Sequence, residues 1–360
     1  MNRRDFLKAG MGSVAFAAAA PVVAADRPAV KNPVDLGPII KNYEIRTSSR
    51  QKGRAAAFFI DDVIWFLRDI ARQRPKSIFD HPFMGGLKKA HDEYGLKVQL
   101  NLFYRTDYFY GMDEFTLADF PDAYKTEWQA NADWIKFGFH ALQEFPDYPF
   151  VNVSYNDVKK LNGMISGEVA RFAGPGMYTT AVVPHWGPMS KEGCKALADC
   201  GMKVMWVSNG PRYAYDGDSN SLPYGHSFRL LNNRKSETAL YWRGTRNTAI
   251  NSSICCYNHL PTDLTELTRG TFKSIYDKDT GIAFKKFSNA PCLNLYPMDT
   301  IIPAFEKVRG KEFIVFADHE QYFFKDYFAY QPDYIEKILV SSKWLKKNGY
   351  EFVFIEDTVD

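Results

Sequence analysis

The chain has 360 residues and a formal net charge of +3, from 45 lysines and arginines against 42 aspartates and glutamates; 16% of it is aromatic. No basic stripe stands out, which argues against nucleic acid or an anionic lipid surface as a partner. The length is enough to bury one barrel-sized core. Arg3-Arg4-Asp5-Phe6-Leu7-Lys8, an Ala-rich stretch from Ala9 to Ala20 and small residues at Val23-Ala24-Ala25 read as a twin-arginine export signal cleaved after Ala25. The stretch falls short of the roughly 20 residues a membrane span needs. Residues 26–360 are therefore expected as a periplasmic protein with no integral membrane segment. Arg3, Arg4 and Lys8 against Asp5 carry +2 of the +3, so the remainder is nearly neutral.

Apolar strand-like runs then alternate with helical patterns, the signature of an α/β fold with a parallel sheet. Strands are expected at Ala55–Ile60, Lys97–Tyr104, Trp134–Phe139, Thr179–Val183, Lys203–Val207, Leu293–Tyr296, Phe313–Ala317 and Glu351–Ile355. Helices are expected at Val63–Gln73, Pro82–Tyr94, Ala118–Asp133, Asn156–Phe172, Ser190–Cys200 and Gln331–Lys347. Seven or eight such units imply a distorted (β/α)7-8 barrel forming one domain over 26–360. From Gly210 to about Ala290 the chain turns rich in Gly, Asn, Ser and Thr, with short strand-like pieces at Phe228–Leu231 and Thr238–Arg243. That stretch reads as a hairpin and long loops inserted over the barrel mouth. Cys194, Cys200, Cys255, Cys256 and Cys292 show no zinc-ligand spacing and read as structural.

Chemistry-bearing residues gather at strand ends, where α/β enzymes place their sites. Asp61-Asp62 closes the first apolar run, His140 and Glu144 follow the third, and Asp318-His319 closes the run at Phe313–Ala317. Each has a plainer alternative. An acid pair at the start of a helix is often an N-cap with a dipole-favouring first-turn acid. His140 and Glu144, four apart, also fit a polar pair on one helical turn. Three strands delivering such groups to one end of a barrel tip the balance toward a metal-assisted hydrolytic site.

Taken in order, Phe58-Phe59-Ile60-Asp61-Asp62, Phe137-Gly138-Phe139-His140 with Glu144, Pro184-His185-Trp186-Gly187 and Phe316-Ala317-Asp318-His319 resemble the polysaccharide deacetylase superfamily (carbohydrate esterase family 4). The resemblance runs from about Ala55 to Ile355. It implies Asp61 as general base, Asp62 and His140 as metal ligands, and His319 as general acid. Glu144 stands where the His-x-x-x-His motif has its second histidine; a carboxylate there can ligate zinc or a harder ion such as Mn, Co or Ni. The arginine that holds the base in that family has no counterpart before Pro184. His185, Trp186, Trp206 and Tyr104 are expected to shape a pocket for a polysaccharide or glycan substrate. The implied activity is removal of acyl groups, acetyl above all, from an extracytoplasmic glycan. The alternatives are a carbohydrate-binding barrel without turnover and a two-carboxylate glycosidase drawing on Asp61, Glu144 and Asp318, which needs no metal.

Overall fold

In the computed structural model the described residues are 41–49, 53–106, 114–144, 149–150, 153–187, 189–207, 267–286, 290–327 and 329–360. The segment read as an export signal, Phe228–Leu231, Thr238–Arg243, Cys255 and Cys256 lie outside them. The elements run β1 (Tyr43–Thr47), β2 (Arg54–Val63), α1 (Trp65–Gln73), α2 (Pro82–Tyr94), β3 (Val98–Phe103), α3 (Lys125–Ala130), β4 (Ile135–Ala141) and α4 (Tyr155–Phe172). There follow β5 (Ala181–Val182), α5 (Lys191–Asp199), β6 (Val204–Val207), β7 (Lys273–Asp277), β8 (Ile282–Lys286), α6 (Met298–Glu306), β9 (Phe313–His319), α7 (Tyr334–Lys347) and β10 (Tyr350–Phe352). The architecture is mixed α/β with parallel sheets and, among the described residues, seven α-helices.

One sheet pairs β2 in parallel with β3, β9 and β10, and β3 in parallel with β4. The other sets β5, β6 and β8 in parallel and closes with the antiparallel hairpin β7–β8 and edge strand β1. An isolated parallel bridge, Phe137↔Tyr178, links β4 to the segment entering β5.

The period of two along each strand divides its side chains between two cores. Ala56, Phe58 and Ile60 of β2 join the core shared with the helices, as do Phe137 and Phe139 of β4 and Ile314 and Phe316 of β9. Ala55, Ala57 and Phe59 join a second core between the sheets, with Ala181 and Val183, Trp206, and Phe313, Val315 and Ala317. Continuing that second parity to the carboxyl ends gives Asp61, His185 and His319. The same count puts Gln99 and Asn101 of β3, and Gly138 and His140 of β4, on the side away from the helices. The inter-sheet core is thus apolar at one end and polar at the other.

Four expectations change. The helix expected at Ala118–Asp133 breaks at Pro121 into two 3-10 turns, Leu117–Asp119 and Asp122–Tyr124, before α3 begins. A proline cannot continue the backbone ladder of a helix interior. Leu293–Leu295 is a 3-10 turn; the adjoining Cys292 makes a single parallel bridge to Ala317. The run expected as strand Glu351–Ile355 stays in strand only as far as Phe352, where Glu351 and Phe352 pair with β2, and turns into a 3-10 segment at Ile355. The last part of the expected insertion is integral to a sheet, since β8 pairs with β6.

Candidate metal centre

Two adjacent acids on a regular strand would point to opposite faces. Here the β2–β3 register shifts between Ile60 and Val63, and Asp62 adopts φ 62, a left-handed conformation uncommon outside glycine. The bulge allows Asp61 and Asp62 to serve one site. Neither acid caps α1. Its first turn is held instead by Glu320, 256 residues on from Ile64: the N–H groups of Ile64 and Trp65 donate to Oε2 at 2.7 and 2.8 Å, and that of Phe66 to Oε1 at 2.6 Å. The capping alternative for Asp61-Asp62 is excluded by this arrangement. The helical-pair alternative for His140 and Glu144 also fails, because His140 belongs to β4 and Glu144 to a bend beyond it.

Three buried atoms converge. His140 Nε2 lies 3.0 Å from Asp62 Oδ1, His185 Nδ1 lies 3.2 Å from the same oxygen, and the two nitrogens are 3.1 Å apart. The outer nitrogens are committed: His140 Nδ1–H donates to the Val183 carbonyl at 2.6 Å and His185 Nε2–H to the Glu144 carbonyl at 2.8 Å. With those protons fixed outward, both inward nitrogens present lone pairs, and so does the carboxylate oxygen. Three lone pairs at such spacing repel unless a cation lies among them. A tetrahedral ion with bonds of about 2.0–2.1 Å sets its donors about 3.3 Å apart, and an octahedral one about 2.9 Å. The observed 3.0, 3.1 and 3.2 Å fall between the two. Outer hydrogen bonds of this kind accompany metal-bound imidazoles generally. The donor set fits a divalent ion.

The acid–base pattern agrees. Burial pushes Asp62 up, but hydrogen bonds from His140 and His185 outweigh it and hold the carboxyl well below its ordinary range. Burial pulls His140 down, yet Asp61 and Asp62 raise it on balance, whereas burial prevails at His185 and lowers it.

The set of converging donors is Asp62, His140 and His185, the group among the described residues whose ligand atoms all lie within 4.8 Å of one another. It differs from the expected Asp62, His140 and Glu144. Glu144 is buried and contributes its backbone carbonyl; His185, expected only to line a pocket, is the third donor. Asp61 stands beside the cluster, its Oδ1 3.7 Å from His140 Nδ1 and accepting a 2.7 Å hydrogen bond from Asn101 Nδ2. Asn101 Oδ1 in turn accepts from Gln99 Nε2 at 2.7 Å. Burial raises Asp61 from its ordinary value, against the pull of His140 and His319. His319 pairs in register with Asp61, and its Nδ1–H donates to Asn294 Oδ1 at 3.1 Å.

The remaining expected residues divide. The Trp186 ring centroid lies 5.8 Å from that of His185, and its backbone, like that of Asp62, has φ 62. Trp206 is buried against Phe313 in the inter-sheet core, and burial raises the Tyr104 hydroxyl, with Glu168, Asp119 and Arg171 as its charged surroundings. Asp318 is fully buried, accepts the His319 N–H, and is held well above its ordinary range by burial. That makes it unsuited to act as the ionised carboxylate of a glycosidase pair. Cys194, Cys200 and Cys292 are in no disulfide. Asn101, Gln99, Asn294 and Gln321 were not anticipated, although Gln99 and Asn101 interrupt an otherwise apolar strand at alternate positions.

No protein-family model and no curated protein matches the chain. Among solved structures it is similar to 4-alpha-glucanotransferase from Thermococcus litoralis, at 10% identity and a TM-score of 0.47. The match covers 86% of this chain and 40% of that one. Among the described residues no helix is long and apolar enough to cross a membrane.

Proposed function

We propose that the chain is a divergent member of the polysaccharide deacetylase superfamily, a metal-dependent hydrolase that removes acyl groups from a glycan. The observation that carries this reading is the convergence of Asp62 Oδ1, His140 Nε2 and His185 Nδ1 with their outward protons committed. Both departures from the family motifs have a counterpart in the site. The imidazole missing at 144 is supplied from His185, and the support for the base that an arginine would give comes from Asn101. For the fold we infer an incomplete β/α barrel, supported by the bridges Phe137↔Tyr178 and Cys292↔Ala317, which extend the parallel run on either side. The export signal read at 1–25 would place the glycan outside the cytoplasm.

A divalent ion held by Asp62, His140 and His185 would supply Lewis-acid polarisation of the acyl carbonyl and of the attacking water. Asp61, oriented by its hydrogen bond from Asn101, would take the proton of that water as general base. His319, with Nδ1–H fixed on Asn294, delivers a proton from Nε2 to the departing nitrogen or oxygen as its bond to the acyl carbon breaks. Acetate release from acetylated oligosaccharides, assayed with and without added zinc, manganese, cobalt or nickel, tests the reading. No release with any of them would favour a binding barrel.

A further inference from the structure

The 3-10 turn that follows β9, Glu320–Phe323, sends two consecutive side chains back to the strained end of β2. Glu320 ties down the three N–H groups that follow Asp62 and Val63, and Gln321 Nε2 donates to Asp62 Oδ2 at 2.7 Å. Asp62 therefore has its two oxygens in separate employment: Oδ2 faces Gln321, and Oδ1 faces His140 and His185. The orientation of the Gln321 amide follows from chemistry, since an ionised carboxylate accepts only and the amide must present its NH2. That commitment has a cost. Gln321 is 2% exposed, and its Oε1 finds no hydrogen-bond partner among the described residues. A buried acceptor left unpaired is uncommon in folded proteins and calls for a reason.

We infer that Gln321 is a positioning residue that restricts Asp62 to one ligating oxygen and so sets the affinity and coordination number of the divalent site. The inference rests on the metal-site reading above. Without the amide, Oδ2 is free to turn toward the ion, and the φ 62 conformation of Asp62 loses the contact that fixes its side chain. Outer-shell partners of metal ligands of this sort typically set affinity by about 10–100-fold.

The test uses the full chain with Zn2+ and Co2+ as probes. Zinc dissociation constants are measured by competition with a chromophoric chelator for the wild type, Gln321→Leu and Gln321→Asn, the last keeping an amide one methylene too short to reach. Circular dichroism of the metal-free proteins identifies which variants are folded, and Gln321→Asn decides alone if Gln321→Leu is not. The expected result is an affinity about 10–100-fold weaker in the folded variants. A weaker visible absorption of the Co2+ protein should accompany it, as Asp62 binds through both oxygens and the coordination number rises; a purely structural glutamine would not move that spectrum. Unchanged affinity and spectrum, with a wild type that binds both ions, would overturn the positioning role and leave the metal site standing. A wild type that binds neither ion would overturn both.

Discussion

Gly138→Ala probes the polar chain that supports the candidate base. Gly138 lies in β4, and a Cβ there would sit 2.5 Å from Asn101 Oδ1, 2.9 Å from Gln99 Nε2 and 3.3 Å from Thr179 Cγ2. All three neighbours are buried, at 0, 1 and 0% exposure, so none can swing into solvent. The methyl group must displace the Gln99–Asn101 pair, and with it the 2.7 Å bond from Asn101 to Asp61. Overpacking of a close-packed interior costs about 1–3 kcal/mol, and loss of a hydrogen bond to a charged, buried group about 1.5–3 kcal/mol. A destabilisation of about 3–5 kcal/mol is expected, read as a fall in the urea midpoint at unchanged slope. Gly163→Ala is the control: that glycine lies exposed in α4 with open space at its Cβ position, and the change should stabilise by roughly 0.5–1 kcal/mol. A Gly138→Ala protein within about 0.5 kcal/mol of wild type, which is the ordinary range for neutral surface changes, would refute the packing argument and the role given to Asn101.

Three other predictions follow from the site and the core. His185→Ala should lose divalent-metal binding while Glu144→Gln keeps it, by equilibrium dialysis; the reverse order would restore Glu144 as the ligand. Asp61→Asn should retain metal but lower acetate release by about 10²–10⁴-fold, the usual weight of a general base, and unchanged turnover would remove Asp61 from the chemistry. Lys285 is fully buried, its Nζ donating to the carbonyls of Lys273 and Thr271, and burial lowers it from 10.5 to about 7. Between those two values the unfolded chain holds a proton that the native one does not, so stability rises with pH across that window and is flat below it. Wild type should therefore gain on Lys285→Met between pH 7.5 and 9.5, by up to about 1.4 kcal/mol per pH unit; parallel stability curves would show that Lys285 stays charged.

Much of the frame was legible because period-two alternation is a local property. Ala55 to Ile60 and Phe313 to Ala317 read as strands, and they deliver Asp61 and His319 side by side. What failed to read depends on distant partners or on backbone strain. Nothing in the sequence around Asp62 announces a bulge with φ 62, and the cap of α1 arrives from Glu320 rather than from a neighbouring Ser or Asp. Glu144 was expected as a ligand because it stands where the resembled His-x-x-x-His motif has its second histidine, yet here β4 ends at Ala141 and Glu144, on the bend beyond it, turns its backbone carbonyl to His185. His185, 45 residues further on, reaches His140 through the alignment of the β5 segment with β4, where His185 N–H donates to the His140 carbonyl. α6 escaped notice because Pro303 lies inside it, and β1 because its five residues are mostly exposed and show no buried face.

The most direct test of the account is the metal content of the protein purified without added metal or chelator, beside Asp62→Ala and His185→Ala prepared in the same way. The account predicts about one equivalent of a divalent ion in the wild type, lost in both variants. A wild-type protein that carries no metal and takes up none on titration with zinc, manganese, cobalt or nickel would contradict it.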